Sequence, residues 1–585
     1  MKKTQLAAAV LLATGSASAL AATYEITPLP VEDIGQNNFA SAIDNTGAML
    51  TTVGEEFSPR LDVELLEETG FFTAIESALE APDDARAGVF TTNDYNTIVA
   101  NLSTVRSTRS KTNVQLTDFR SYVSDLTDAE LVPALDVIPE GDDDYTWSVR
   151  GIARDSLSRD FIVGDGELPF LPLVYTNDDG DDTTYILSAG IQQAFAYVNG
   201  TAVRLPSPDD TLNGYAAAYA VNSNFEVAGY ASTAYTDDFM DSVAECQDDE
   251  NRAIEPEERC LATLAYSSTT SSFSSTQLNN ATLNPVVWQL NASGEVVNTI
   301  VYPLVFEADD DTNPFFKRGR VQDINDAGVG VGYSAIEEQV LLTSRTATGS
   351  STTTTRPART VATSFIDGET TELLDRDENQ LSQASAINNN GWVTGTVTRS
   401  PNSIAREFLF AHNLETGETV YPEGFFSNAE TIGQAINNNN TIVGNSQVQA
   451  TQSSVTKTHG FMYTVGEDDS VIDLNTLTSC DSPYEIVDAI DINDNGEIIA
   501  NAIIEKAVRN IDGTTAMNDA GEEEQDEVVV AVKLTPNANG QIEQCDADDV
   551  GSDEDEGFER SGAATGPWWI ALLAGLVGFR RFRRS

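Results

Sequence analysis

Short apolar runs alternate with corners rich in Asn and Gly along most of the chain. The recurring unit is a strand ending in Ile or Val, an Asn or Asp, a short turn containing Gly or Asn, and a second apolar strand. Asn and Asp bond their own backbone in such turns, and Gly or Asn accepts the positive φ that a tight hairpin needs. Each unit therefore predicts one β-hairpin. Clear copies begin at Ala220, Asp323, Ala386, Ala435 and Asp491, and weaker ones lie at 42–47, 93–100 and 151–164.

A second hairpin accompanies many of these units and starts with an aromatic strand. Two hairpins give four antiparallel strands, which is the content of one β-propeller blade. The motif asparagines Asn325, Asn388, Asn437 and Asn493 follow one another at steps of 63, 49 and 56 residues, close to the roughly 50 residues of kelch-type blades. The aromatic hairpins lie at 195–205, 286–294, 365–374, 408–417 and 461–472.

The repeat predicts an all-β fold, a β-propeller of seven or eight four-stranded blades within residues 22–545. The longer step between Asn222 and Asn325 is explained by an insertion at about 235–280. A four-stranded unit has two apolar faces, so the blades must stack and the ring must close. For closure we expect the β run 528–534, with 541–545 as its hairpin partner, to share a blade with 24–26. A β-solenoid or two β-sandwiches are the alternative folds.

Both ends of the chain carry targeting patterns. Residues 1–21 combine two lysines, an apolar run and small residues, the pattern of a secretory signal peptide. Near the other end, an acidic and small-residue linker at 546–566 leads into an apolar stretch at 567–579, and a basic tail follows at 580–585. We expect this stretch to form a short transmembrane helix with the tail in the cytoplasm.

The C-terminal pattern resembles the GlyGly-CTERM sorting signal of Gram-negative bacteria. Ser561 and Gly562 stand where that signal has a Gly pair, and the basic end is formed by Arg580, Arg581, Arg583 and Arg584. The resemblance implies processing by a rhombosortase-type protease, passage through secretion machinery, and delivery to the cell surface or medium after transient anchoring in the inner membrane.

Charge and cysteine content narrow the possible partners. The net charge is −60, which repels nucleic acid and anionic lipid, so membrane contact is expected only through the tail. Four cysteines in an exported chain most simply form two disulfides. Cys246 and Cys260 bracket a polar excursion, which leaves Cys480 and Cys545 as the second pair.

The Ala-Ile-Asn-x-x-Gly-x-Val-x-Gly units resemble the HAF-type repeats of exported bacterial proteins. With the two terminal signals, nearly the whole chain resembles an uncharacterised family of exported Gram-negative proteins of roughly 600 residues. That family defines no catalytic or binding residues, so the resemblance implies no activity.

The sequence contains no nucleophile elbow, zinc-protease helix, Walker loop or dinucleotide fingerprint. Its two histidines, His412 and His459, lie in or beside aromatic strands and are interpreted as incidental strand residues. Calcium is a possible ligand, because Asp178, Asp179 and Asp181 place oxygen ligands around a Gly. No other cofactor is expected.

These features favour a non-enzymatic surface propeller that binds an unknown surface protein or glycan. A secreted hydrolase or lyase with its site in the central channel is one alternative, and a structural envelope protein is another. An enzyme would require polar side chains that converge at the channel mouth with mutually supporting geometry.

Overall fold

The computed structural model describes residues 23–177, 179–252, 255–266, 276–309, 311–450, 456–518 and 520–543. This part of the chain forms seven four-stranded antiparallel sheets and two small hairpin sheets. The first strands of successive four-stranded sheets contact one another around a complete circle, so these strands surround the axis of a seven-bladed β-propeller. The expected signal peptide, linker, transmembrane helix and basic tail lie outside the described residues.

Each of blades 1 to 6 is built from consecutive strands, innermost first. The first strand of the chain, β1 (Thr23–Pro28), belongs to blade 7. Blade 1 contains β2 (Gly35–Ile43), β3 (Met49–Glu56), β4 (Phe119–Ser124) and β5 (Ala129–Val132). Blade 2 contains β6 (Gly151–Ser158) and β7 (Phe161–Gly166), then, after the inserted hairpin β8 (Leu171–Thr176) and β9 (Asp182–Leu187), β10 (Gln193–Val198) and β11 (Thr201–Leu205).

The remaining blades repeat this order. Blade 3 contains β12 (Ala216–Val221), β13 (Glu226–Tyr235), β14 (Ala281–Leu290) and β15 (Val296–Val301). Blade 4 contains β16 (Gly319–Ile324) and β17 (Gly330–Gln339), then, after the inserted hairpin β18 (Leu342–Arg345) and β19 (Thr352–Thr355), β20 (Ala358–Ile366) and β21 (Glu369–Glu372). Blade 5 contains β22 (Leu381–Ile387), β23 (Trp392–Arg399), β24 (Arg406–Asn413) and β25 (Thr419–Val420). Blade 6 contains β26 (Thr431–Ile436), β27 (Thr441–Gln447), β28 (Thr458–Thr464) and β29 (Ile472–Asp473).

Blade 7 closes the ring with strands from both ends of the domain. It combines β30 (Glu485–Ile492), β31 (Ile498–Ala507) and β32 (Gln525–Asn537) with β1 as the outer strand. Tyr24 pairs with Pro536 and Ile26 with Leu534, so the predicted sharing of one blade is confirmed. Such closure joins the two ends of the domain in one sheet, and β1 covers the outer edge of β32.

Two local expectations are wrong. Residues 93–100 form no hairpin but part of helix α4 (Thr92–Thr108), which starts after the N-cap Thr91. The apolar positions Ile98 and Leu102 are spaced four residues apart and are buried among other helical residues, so helical packing decides this segment. Residues 541–543 form no strand, because β31 and β1 already occupy both sides of β32; residues 544–545 lie outside the described part.

The insertions emerge on one face of the ring. They all follow the second strand of a blade, and in an antiparallel blade that connection lies at the end opposite the first hairpin turn. We call this the insertion face. It carries α1 (Val63–Glu68), α2 (Phe71–Ile75), α3 (Pro82–Arg86) and α4 from blade 1, the hairpin β8–β9 from blade 2, α5 (Asp237–Gln247), α6 (Glu257–Ala265) and α7 (Thr276–Asn280) from blade 3, and the hairpin β18–β19 from blade 4.

Insertions from neighbouring blades pack on one another. Ile186 of the blade 2 hairpin donates its backbone N–H to the Lys111 carbonyl at 2.8 Å, and Lys111 lies over the ring of Tyr266 beside α6. A disulfide joins Cys246 of α5 to Cys260 of α6. The insertions of blades 1, 2 and 3 therefore form one continuous cap.

The opposite face carries the motif asparagines, which we call the asparagine belt: Asn222, Asn325, Asn388, Asn437 and Asn493. Each side chain has two roles. Its Oδ1 accepts two backbone N–H groups of its own turn, as Asn437 does from Asn439 and Thr441 at 3.0 Å each. Its Nδ2 donates to the backbone carbonyl of the equivalent residue in the next blade, as Asn437 does to Asn493 at 3.0 Å.

The same bond joins each successive pair of blades from blade 3 round to blade 1. In the last pair, Asn493 of blade 7 donates its Nδ2 to the carbonyl of Asp44 in blade 1 at 3.1 Å. Blades 1 and 2 interrupt the series. In blade 1 the belt position is Asp44, whose carboxylate has no N–H to donate, and in blade 2 it is Leu157, which packs against the apolar core instead. The recurrent asparagine thus shapes each hairpin and also fastens it to its neighbour.

A histidine network adds a second junction between blades 6 and 7. His459 bonds Asp473 at 2.7 Å and Glu485, the first residue of β30, at 3.0 Å. Burial alone would lower the pKa of His459, but the hydrogen bonds and negative charges of the two carboxylates raise it to about 9. The hydrogen bond from His459, together with the hydrogen bond and positive charge of Lys457, lowers the pKa of Glu485 to about 2. His459 therefore has a structural role at this junction, and the interpretation that the two histidines are neither general bases nor ligands stays a prediction.

This network makes stability depend on pH. Because the folded pKa of His459 is about 9 against an ordinary 6.5, its contribution is complete below pH 6.5 and is lost as pH rises through 9. We expect His459→Gln to lose up to about 3 kcal/mol at pH 6 and little at pH 10, measured by urea unfolding across that range.

The matched control is His412→Gln, since His412 bonds the Thr419 hydroxyl at 2.8 Å and burial lowers its pKa. Parallel stability curves for wild type and His459→Gln between pH 6 and 10 would contradict the assignment.

Candidate binding site in the central channel

Every innermost strand contains a β-bulge at the same point of the repeat. The bulge residue is followed first by Ala or Asp and then by Ile, Val or Ser. A β-bulge inserts one extra residue into a strand, and bulges often re-aim a side chain toward a functional site. Because the innermost strands surround the axis, the seven bulges form a ring around the central channel. The bulge residues are Ser41, Arg154, Tyr219, Gln322, Ser385, Gln434 and Ile490.

The bulge ring is chemically varied although the backbone around it repeats. It contains a cation, a phenol, two amides, two hydroxyls and one apolar side chain. The belt position, which has a structural role, is by contrast Asn in five of the seven blades. Variation at one constant position of a rigid scaffold is typical of a surface that recognises a particular ligand.

Arg and Tyr side chains from blades 2, 3 and 4 meet at this ring. The guanidinium groups of Arg154 and Arg320 lie 4.8 Å and 4.7 Å from the centre of the Tyr219 ring. Arg320 also lies 5.0 Å from the centre of the Tyr333 ring and donates to the Tyr219 hydroxyl at 3.2 Å. Such cation–π contacts hold the planar guanidinium groups in a defined orientation.

The two arginines differ in charge compensation. Arg154 forms an ion pair with Asp165, which also accepts from Gln192 at 2.5 Å. Arg320 has no carboxylate within ion-pair distance among the described residues, and its Nε is buried without a hydrogen-bond partner there. Two residues along the same strand, the Oε1 atom of Gln322 is also buried and unpartnered in the described part. An unused donor and an unused acceptor thus lie on one innermost strand.

Three carboxylates follow the bulge in blades 2, 4 and 7, where the other blades have Ala. Burial raises the pKa of Asp323 and of Asp491 to about 6, and that of Asp155 well above its ordinary value. Repulsion from Asp491 and Asp323 adds to the raised pKa of Asp155, so the three groups face a shared interior.

Both oxygens of these carboxylates are engaged by backbone groups. One oxygen of Asp323 accepts from Ile387 of blade 5 at 2.7 Å, and the other accepts from Ile324 at 2.7 Å. Asp491 bonds Ile43 and Ile492 in the same way. These hydrogen bonds join neighbouring innermost strands, so the first role of the carboxylates is structural.

The sequence-predicted site residues lie elsewhere. Asp179 and Asp181 occupy the exposed turn between β8 and β9, where the Asn177 side chain accepts both of their N–H groups. Asp178 lies outside the described residues. Among the described residues, no group of three His, Cys, Asp or Glu side chains is arranged to hold a metal. Calcium binding at this turn stays a prediction.

Cys545, the predicted partner of Cys480, also lies outside the described residues, as do the sorting-signal residues Ser561, Gly562, Arg580, Arg581, Arg583 and Arg584. Within the described part of the chain, no helix is long and apolar enough to cross a membrane.

The bulge residues were missed by sequence reasoning, although the repeat contains their signal. Aligning the copies on the motif Asn places Tyr219, Gln322, Ser385 and Gln434 three positions before it. Residues around that position recur, while the position itself changes from copy to copy. The variable position inside the repeat therefore indicates residues of the channel, and the repeated positions indicate residues of the scaffold.

Comparison with known proteins decides the family. A family model described as "Protein of unknown function (DUF3466)" matches residues 1–582. The chain belongs to this family. The predicted membership of an uncharacterised family is thereby confirmed, whereas the HAF-type repeats and the sorting tail stay predictions. A search of curated proteins finds no match for this DUF3466 chain.

Among solved structures, the chain is similar to an acylaminoacyl peptidase from Pyrococcus horikoshii in the uncomplexed state. The sequence identity is 10% and the TM-score is 0.26. The alignment covers 81% of this chain and 59% of the peptidase chain, so this chain spans less than two thirds of the length of that protein.

Proposed function

We propose that this protein is an exported binding module of the cell surface that captures its ligand at the bulge ring of the propeller channel. The observation that supports this proposal most strongly is the contrast between a repeated scaffold and a varied ring. Arg154, Tyr219 and Gln322 occupy equivalent backbone positions in consecutive blades, yet they present three different chemistries to one space. Rigid scaffolds with variable loops or rings are suited to recognition.

Binding is favoured over hydrolysis by the state of the channel carboxylates. A glycoside-cleaving pair needs one carboxyl group free to donate a proton and another free to attack or to activate water. Asp323 and Asp491 instead use both oxygens to accept backbone N–H groups of two innermost strands. Export and surface location are supported by the terminal sequence patterns and form part of the proposal.

The test is a screen of the full chain against immobilised glycans and bacterial surface proteins, with and without calcium. Tyr333→Ala removes a ring beneath Arg320, and we expect it to weaken binding of the captured ligand by about tenfold or more. Tyr421→Ala is the matched control, because Tyr421 also supports an arginine, Arg399 at 4.2 Å, but follows the outermost strand of blade 5.

Equal affinity of both variants and wild type would reject the channel as the binding site. Absence of any bound ligand across the panel would reject the binding function itself. Mass analysis of the bound glycans shows whether they remain intact, and cleaved products would favour the hydrolase alternative.

A further inference from the structure

The orphaned polar atoms on β16 specify the chemistry of a ligand. Arg320 Nε is a buried donor without a partner, and Gln322 Oε1 is a buried acceptor without a partner, both judged over the described residues. A buried polar group without a hydrogen bond costs about 1–3 kcal/mol. A ligand that supplied one acceptor and one donor would remove both penalties at once.

The donor belongs to the cationic side chain of Arg320, which is suited to binding an anion. The guanidinium group of Arg320 is oriented by the rings of Tyr219 and Tyr333 and by its bond to the Tyr219 hydroxyl. No carboxylate of the described chain lies within ion-pair distance of it. In a protein of net charge −60, an arginine left without a carboxylate in the channel is matched to an anion brought from outside, and its planar fork suits a carboxylate.

Gln322 supplies the acceptor two residues further along β16. Side chains two residues apart on a strand are separated by roughly 6–7 Å along it, so one small ligand spans both. From Arg320 toward the asparagine belt the strand thus changes from a donor to an acceptor. A ligand with a carboxylate at one end and hydroxyl groups at the other fits this order.

We propose that Arg320 and Gln322 form a subsite for a hydroxylated carboxylate of the acidic-sugar class, with the Tyr219 and Tyr333 rings beside it. Arg320 binds the carboxylate, and Gln322 accepts a sugar hydroxyl. The proposal rests on the proposed binding function and specifies its ligand. The same chemistry is presented by a free acidic monosaccharide and by an acidic unit within a glycan.

The experiment is calorimetric titration of the full chain with galacturonate, glucuronate and N-acetylneuraminate. Galactose and glucose serve as neutral counterparts, and trigalacturonate tests the glycan source. We expect acidic sugars to bind and the neutral hexoses to fail, and Arg320→Lys to weaken binding by roughly tenfold or more. Gln322→Leu is expected to weaken binding of the acidic sugars, and the neutral hexoses are expected not to bind this variant either. Binding of trigalacturonate alone assigns the subsite to a glycan unit, and binding of the monosaccharides assigns it to the free acid as well.

Arg359→Lys is the matched control. Arg359 lies on β20 of the same blade and also has a buried Nε without a partner in the described part, but it is ion-paired with Glu338 at 3.1 Å and lies outside the innermost strand. Unfolding midpoints of all variants establish that they fold.

Failure of every acidic sugar to bind, or equal affinity of wild type and Arg320→Lys, would overturn the subsite. If the surface screen still yields a ligand that depends on Tyr333, the proposed binding function survives and only the ligand class is wrong.

Discussion

Replacing Tyr24 by alanine is expected to lower the free energy of unfolding by roughly 3–4 kcal/mol. Tyr24 lies on β1, the strand that closes the ring, and its side chain is buried in the core of blade 7 with Val530 and Val532. Removing the ring leaves a cavity at the one blade whose strands come from both ends of the domain. Urea unfolding followed by circular dichroism measures the loss as a lower midpoint with an unchanged slope.

Glu25→Ala is the control for this prediction. Glu25 is the next residue on the same strand, is exposed on the opposite face, and pairs with Thr535. Its replacement keeps the backbone pairing and removes no core packing, so the midpoint is expected to stay within about 0.5 kcal/mol of wild type. A loss from Tyr24→Ala no larger than that from Glu25→Ala would show that β1 contributes little to closure.

Replacing Asn437 by alanine is expected to lower the free energy of unfolding by roughly 2–4 kcal/mol. The side chain is 4% exposed and makes three hydrogen bonds, two within its own turn and one to the carbonyl of Asn493 in blade 7. Alanine leaves the N–H groups of Asn439 and Thr441 without their acceptor and removes one of the two donors to the Asn493 carbonyl, which keeps the N–H of Gly496. Differential scanning calorimetry and urea unfolding measure the effect.

Asn298→Ala is the matched control, because Asn298 is exposed on the outermost strand of blade 3 and bonds only the side chain of Gln289. Native-state hydrogen exchange adds a local readout. We expect faster exchange at Thr441 in Asn437→Ala, since its N–H loses its acceptor. Unchanged exchange there would contradict the role assigned to the asparagine belt.

The repeat was visible in the sequence because its turn chemistry is local. Asn437 and Gly391 occupy positions where a turn requires a side-chain acceptor or a positive φ, and these demands are met within a few residues. Strand pairing inside a blade followed from the same pattern, and so did the closing strand that carries Tyr24. The sequence did not predict helix α4, because its first residues have the same pattern as the turn of a hairpin. Burial of Ile98 and Leu102 against residues distant in the sequence stabilises the helix instead.

The hairpin unit, its repetition and the closure of the ring were determined by the sequence itself, because local hydrogen bonding and alternating burial dictate them. Only the tertiary structure decided that there are seven blades, that the asparagines link neighbouring blades, and that Arg320, Tyr219 and Gln322 share one space. Those residues lie about one hundred positions apart at the extremes, and no local rule relates them. They meet because seven bulged strands surround one axis.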